Sequence, residues 1–220
     1  MNYNKVLYHG TTVESGEKIV KNKYFKISST YRPKKNKAVE YDHWLGNGVY
    51  FFEDEIHAYD WILKMFNTKY KHIIENCKDI YELSKELFQK YTILKSRIVA
   101  DENRIWNLDN PEDLMIFLKI CDEIYEKLKD DEEYKNRVIS DGTFINVMFE
   151  KMGFKKKFDI VIYTFGFSRP KRPYQTFIKL IPQKQVCVKN PKVVKSIDYH
   201  DCESFSKYYP MLCYAYPHIY

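Results

Sequence analysis

The chain has 220 residues, 45% of them hydrophobic, and 36 basic against 30 acidic side chains leave a formal charge of +6. That length and apolar content suit one globular domain with an ample core, and the mild charge describes a mixed, solvated surface. Five cysteines, an odd number with no Cys-x-x-Cys pair, argue against a disulfide framework or a structural zinc site; no apolar run reaches the ~18 residues of a membrane span and none resembles an N-terminal signal, so the chain reads as cytoplasmic, without a membrane partner.

In chain order, Val6 to Tyr8 start a short apolar strand that delivers His9 at its end. Val13 to Lys23 read as a helix, with Thr12 or Ser15 at its N-cap and Ile19 and Val20 on its buried side. Lys26 to Ser29 is a candidate second strand, and the Lys-rich run Tyr31 to Asp42 a loop. After Gly46-Asn47-Gly48, Val49 to Phe52 form a strand whose aromatics alternate faces. Glu53 or Asp54 then caps a helix in which Ile56, Tyr59, Ile62, Leu63 and Phe66 recur at helical spacing. A charged helix is expected near Asp79 to Gln89 and a strand over Thr92 to Ala100.

Asp109-Asn110-Pro111-Glu112-Asp113 supplies a cap, a first-turn proline and acids at the positive end of a helix dipole. The helix it opens carries an apolar stripe of Leu114, Phe117, Leu118, Cys121, Ile124 and Leu128. Asp141-Gly142-Thr143 opens another helix that ends at Gly153. Asp159 to Phe165, Thr176 to Ile181 and Gln185 to Val188 read as strands, the last followed by Asn190-Pro191. With no internal repeat and no linker, the pattern gives a single α+β domain over 1–220.

Two segments carry candidate chemistry. In Tyr8-His9-Gly10-Thr11-Thr12, a glycine lets backbone approach a planar ligand closely, and one residue's N–H and C=O supply the donor and acceptor that a carboxamide needs. In Trp44-Leu45-Gly46-Asn47-Gly48-Val49-Tyr50-Phe51-Phe52 a turn opens an aromatic strand, and Trp61 follows Tyr50 by eleven residues. His43 and His57 flank this segment; each reads equally as a substrate contact or as a solvent-exposed side chain, and Asp42 as a loop cap. Cys187 reads as a buried strand residue, and His200 with Cys202 is too sparse for a metal. The 20 Tyr and 14 Phe are read first as core and surface filling, and second as platforms for bases.

This combination resembles the ADP-ribosyltransferase superfamily of the poly(ADP-ribose) polymerase and diphtheria-toxin type. The resemblance is carried by His9-Gly10-Thr11, by Gly46-x-Gly48-x-Tyr50-Phe51, and by the ring at Trp61. It implies a split β-sheet core with surrounding helices, and leaves residues 70–140 as a helical, family-specific insertion. It implies NAD+ as co-substrate and no metal. His9 would contact the adenosine-side ribose, and Gly10 would hold the nicotinamide carboxamide with help from Thr11. Gly48 would open the strand beside the cofactor, while Tyr50 and Trp61 would stack on the two faces of the ring, a sensible arrangement for a cationic pyridinium.

The family's third position is a glutamate just before an Asn-Pro or Asp-Pro turn. Counting back from Asn190-Pro191 places Gln185 there, with Gln183 two residues earlier on the same strand face; Gln175 has the wrong register. The family reaction breaks the bond between nicotinamide and ribose C1′ through an oxocarbenium-like transition state. A carboxylate bonds the 2′-OH and opposes the developing charge, whereas an amide keeps only the acceptor oxygen.

The resemblance therefore implies transfer of a single ADP-ribose, rather than a polymer, to a macromolecular acceptor. In that context small microbial domains act as toxins or in phage defence, with an antitoxin or other regulatory protein as partner. A degenerate binding module and an NAD+ glycohydrolase stand beside it. Protein and nucleic acid are both open as acceptors. Lys155, Lys156, Lys157, Arg169, Lys171, Arg172, Lys179, Lys184, Lys189, Lys192 and Lys195 crowd the C-terminal third, which suits RNA or DNA.

Overall fold

A computed structural model of the chain describes residues 2–28, 43–130, 139–168 and 180–215. In chain order the strands are β1 (Asn2–Thr12), β2 (Val49–Phe52), β3 (Tyr91–Asp101), β4 (Ile105–Asn107), β5 (Ile160–Ser168), β6 (Leu180–Val188) and β7 (Val194–Tyr199). The helices are α1 (Val13–Asn22), α2 (Glu55–Asn76), α3 (Ile80–Lys90), α4 (Pro111–Leu128), α5 (Asp141–Lys151), α6 (Phe154–Lys157) and α7 (Phe205–Ala215). Together the described residues make an α+β arrangement around one mixed sheet, ordered β4-β5-β6-β2-β1-β3-β7. Its β4–β5 pair is parallel and the other neighbours are antiparallel.

Alternation along the strands sorts side chains onto two faces. On the back face, Leu7, Val49, Phe51, Leu94, Ile98, Ile160, Ile162, Val186 and Val188 bury against Phe25 and the apolar side of α1, where Ile19 and Val20 lie. The front face carries two separate cores. One joins Phe52, Ile93, Ala58, Tyr59, Ile62, Leu63 and Phe66 to α3 and α7. The other joins Val161 and Cys187 to Trp106, Phe117, Cys121, Ile124, Ile145 and Met148 on β4, α4 and α5. Tyr50 and Phe52 share the front face of β2 yet enter different cores, so β2 lies at the boundary between the two helix groups.

The sheet is least continuous at the same place. The β1–β2 ladder consists of the pair Tyr8↔Phe52, whereas β1 and β3 pair from Asn2↔Asp101 to Thr12↔Tyr91. Two leaves result, β4-β5-β6-β2 and β1-β3-β7, joined at a seam that runs past His9 and Gly10.

Several expectations need correcting. His9 does not end a strand, because β1 continues through Gly10, Thr11 and Thr12 under the pull of its full ladder with β3. Lys26 to Ser28 gives an isolated bridge, Ser28↔Gly48, in place of a strand; Ser29, the 31–42 loop and most of Thr176 to Ile181 lie outside the described residues. Residues 70–140 are not helical throughout, since they contribute β3, a long interior strand, and β4. Leu118, placed on the buried stripe of α4, is 46% exposed, while Phe117, Cys121 and Ile124 are buried. The caps are Thr12, Asp79, Asn110 and Ser140, each accepting from a first-turn N–H, whereas Asp54 precedes α2 without a side-chain cap bond.

Ser96 sits in mid-β3 between Leu7 and Ile197, and its hydroxyl is fully enclosed without a hydrogen-bond partner. A buried hydroxyl that bonds nothing has lost its hydration for no return. Ser96→Ala is therefore expected to stabilise the fold by about 1 kcal/mol, read as a higher urea midpoint at constant slope.

Candidate functional site

The glycine turn is built by what converges on its carbonyls. Gly46 takes φ +70, a backbone state that glycine adopts without strain. Its carbonyl accepts the Tyr50 hydroxyl at 2.7 Å, and the same hydroxyl accepts the Leu45 N–H at 2.9 Å. The Lys189 ammonium donates to the carbonyls of Leu45 and of Asn47, the latter at 2.7 Å, and lies 5.0 Å from the Phe149 ring. Burial holds the Lys189 pKa below the ordinary lysine value. Lys189 is thus part of the turn's scaffold and not of the basic face expected from sequence. Asn146 completes it from α5, accepting the Asn47 N–H at 2.6 Å.

Gly48 has a packing reason rather than a ligand-binding one. A Cβ there would meet the Cys187 sulfur at 2.3 Å, and its N–H and C=O are both engaged by Ser28 at 3.1 Å. The backbone N–H and C=O of Gly48 are thus already bonded within the chain.

Gly10 faces the front, beneath α2. A Cβ at residue 10 would lie 2.7 Å from Ile62 Cγ2 and 2.9 Å from Trp61 Cε3, so the indole rests on the glycine itself. Trp61 keeps 36% of its surface exposed. Tyr50 also faces front, on the far side of the seam, with its ring 5.3 Å from His43 at an interplanar angle of 28°. Two rings, Tyr50 and Trp61, therefore stand on one sheet face on opposite sides of the seam. His57, half-buried beside Phe52, has its pKa lowered by burial and is no free surface histidine.

Gln185 pairs with Phe52 on one side and Tyr163 on the other, which sets it on this same front face, and Gln183 lies two residues along. Both side chains are buried, and the Gln185 Nε2 donates to the Gln183 Oε1 at 2.8 Å. The Asn190-Pro191 turn behind them is held by Asp159, whose carboxylate accepts from Arg104 Nε at 2.5 Å and from Asn190 Nδ2 at 2.9 Å. The Arg104 guanidinium keeps that carboxyl below the usual carboxylate range.

His9 and Thr11 do not join that face. The His9 ring packs on the back against Phe25 at 5.1 Å and Phe51 at 5.7 Å, and Thr11 turns towards Gly16 of α1. The assisting role expected of the Thr11 hydroxyl beside Gly10 is corrected accordingly, since successive strand residues face opposite sides. His9 nevertheless spans the seam: its Nδ1 lies 2.7 Å from the Tyr50 carbonyl. A carbonyl only accepts, so Nδ1 carries the proton and Nε2 of the neutral ring is an acceptor.

Burial lowers the His9 pKa from its ordinary 6.5, outweighing the bond to Tyr50. His57 moves the same way. Below pH 6.5 the unfolded chain therefore binds protons that the folded chain refuses, and stability is lost as pH falls from there towards the folded-state values. Unfolding free energies from urea titration are expected to be flat above neutrality and to drop in acid, by up to about 1.4 kcal/mol per pH unit for each such histidine.

Sequence reading also missed a second polar cluster. Glu55, the first residue of α2, accepts from His200 Nε2 at 2.5 Å, Tyr208 OH at 2.8 Å and Ser204 Oγ at 3.2 Å. This ties the C-terminal helix to the helix that carries Trp61. A cleft of about 500 Å³ adjoins this cluster at His200, lined also by Val13, Phe88, Tyr91 and Cys202 among others, and includes none of the expected site residues. Gln175, Arg169, Lys171, Arg172 and Lys179 lie outside the described residues. Among the described residues no helix is long and apolar enough to cross a membrane, and no group of three or more His, Cys, Asp or Glu is gathered to hold a metal ion.

Comparison with known proteins gives one clear relative. The chain is 31% identical, over an alignment 219 positions long that spans 90% of this chain and 87% of its counterpart, to the uncharacterized protein MJ0359 of Methanocaldococcus jannaschii. No family model matches the sequence, and no solved structure matches the chain.

Proposed function

We propose that this chain, which belongs to the family of the archaeal protein MJ0359, is an NAD+-dependent ADP-ribosyltransferase that moves a single ADP-ribose to a macromolecular acceptor. The observation that carries the reading is the placement of three sequence-distant segments. The strands bearing His9-Gly10, Tyr50 and Gln185 are neighbours in the order β6-β2-β1, and β2 parts from β1 immediately beside Gly10. That parting is the feature a split sheet of the transferase type would have.

In this reading the nicotinamide ring lies at the seam between Tyr50 and Trp61, with its carboxamide on the Gly10 backbone. His9, whose ring lies on the back face, acts by donating from Nδ1 to the Tyr50 carbonyl and so holding β1 to β2 at the slot, and the Gln185 carbonyl accepts the 2′-OH of the ribose that carries nicotinamide. The C1′–N bond breaks with its electron pair leaving on nicotinamide; the acceptor nucleophile bonds C1′ and gives up its proton to solvent. Bonding the 2′-OH is within reach of an amide, but opposing positive charge at C1′ is not. The Gln185–Gln183 bond favours one rival specifically, a binding module that keeps the ring slot without turnover, because it engages the Gln185 Nε2 and fixes the side chain without substrate.

The test follows free nicotinamide and label transfer from labelled NAD+, with and without cellular protein, RNA and DNA. Transfer that His9→Ala and Tyr50→Ala abolish is the expected result. Release without transfer identifies a glycohydrolase, and wild type indistinguishable from His9→Ala overturns the enzyme reading.

A further inference from the structure

The two glutamines hold more than the NAD+ reading uses. Directly opposed strand residues share a face, so the front row across β5, β6, β2 and β1 reads Tyr163, Gln185, Phe52, Tyr8, with Phe165 opposite Gln183 one step along. None of these six residues carries a charge. Trp44, 44% exposed, has its ring 4.7 Å from Phe165, which in turn meets Tyr163 edge-on at 4.9 Å. Phe52 is buried in the core under α2, so the aromatic shelf is the Trp44, Phe165 and Tyr163 edge of the row, with the two amides on its inner side.

Those amides are only 5% and 7% exposed. Their mutual bond uses one donor hydrogen of Gln185 and the oxygen of Gln183, leaving the Gln185 Oε1 and the Gln183 Nε2 without a partner among the described residues. Among the described residues Ser96 Oγ is the one fully enclosed side-chain oxygen or nitrogen that bonds nothing, so the two amide atoms keep an opening to solvent. Exchanging oxygen and nitrogen in both amides reverses their order but still leaves one acceptor beside one donor.

We propose that this amide pair and its aromatic shelf form a binding site for a nucleobase of single-stranded nucleic acid. A base offers a flat ring for Trp44 and Phe165, and a donor next to an acceptor on its edge for Gln183 and Gln185. A carboxylate would meet the amide oxygen without a balancing cation in the row, and a guanidinium or ammonium would find no anion there. An apolar side chain would leave both buried amides unpaired. Under the transferase reading, on which only its use in the reaction rests, the Gln185 Oε1 takes the ribose 2′-OH on one lone pair and the base edge on the other, which sets the acceptor base beside C1′.

Fluorescence anisotropy on the full chain, at fixed salt and without NAD+, compares a short single-stranded oligonucleotide with an abasic strand of equal length. The base-bearing strand is expected to bind at least about tenfold more tightly. Gln183→Leu, which keeps volume but loses the donor, and Trp44→Ala, at an exposed position, are each expected to erase that preference while abasic affinity stays. Equal affinity for the two strands overturns the proposal, as does a preference that survives both substitutions. Transfer of label from NAD+ to protein alone, with the two strands bound equally, assigns the acceptor to protein and overturns it too. Because base binding is read without NAD+, it can stand while nicotinamide release fails, or fail while release stands.

Discussion

Gln185→Glu is expected to raise nicotinamide release from NAD+ by about 10²–10³-fold. The two side chains are nearly isosteric, so the front face need not repack around the change. The Gln185–Gln183 bond survives in reversed sense: Gln183 now accepts at its Oε1, and its amide flips to donate from Nε2 into the carboxylate. Burial raises the pKa of a new carboxyl at this position, while that donated bond lowers it, so the gain is expected to grow as pH rises through the weakly acidic range. Single-turnover release at saturating NAD+ reads the chemical step directly. An unchanged rate would remove residue 185 from the role that its register before Asn190-Pro191 gives it.

Gly10→Val is expected to abolish release and to cost about 2–3 kcal/mol of stability. A valine suits an interior strand by up to about 1 kcal/mol of propensity. The clash decides the sign, because the first atom of any side chain already falls 2.7 Å from Ile62 and 2.9 Å from Trp61. The helix cannot slide away cheaply, since Ile62, Leu63 and Phe66 are fully buried and Glu55 ties its start to His200 and Tyr208. Gly10→Ala should follow the same direction with a smaller loss. Denaturation midpoints and the indole emission of Trp61 check both, and a valine variant with native stability would show that residue 10 does not lie under α2.

The turn and strand at the heart of the candidate site were legible because their signals are local. Two glycines and an aromatic run mark the turn and β2 whatever surrounds them, and Asn110-Pro111 caps a helix by short-range chemistry alone. Gln185 was placed by its distance from Asn190-Pro191, again a local register. Facing was harder. His9, Gly10 and Thr11 form one motif in sequence, yet strand alternation sends Gly10 to the front and its neighbours to the back. Taking His9 to stand at the end of β1 hid this, because only the ladder with β3 extends the strand through Thr12.

Other features have no local signal at all. Nothing near Lys189 announces that its ammonium closes on carbonyls 142 and 144 positions away, nor that Asn146 reaches Asn47. Pro210 inside α7 conceals a helix whose existence depends on docking beside Glu55. Such contacts are fixed by topology, and a periodicity does not contain topology.

The seam beside Gly10 also bears on how the molecule comes together. The chain changes leaf four times, between β1 and β2, β2 and β3, β3 and β4, and β6 and β7, so neither leaf is a continuous stretch of polypeptide. Each leaf closes long loops before its strands can pair, which slows folding relative to a chain of local contacts. Residues that meet across the seam, His9 with Tyr50 and Tyr8 with Phe52, belong to different leaves, so the slot is complete only when both leaves are in place. On refolding, ligand binding should return later than helix and strand content, and a fragment carrying either motif alone should bind nothing.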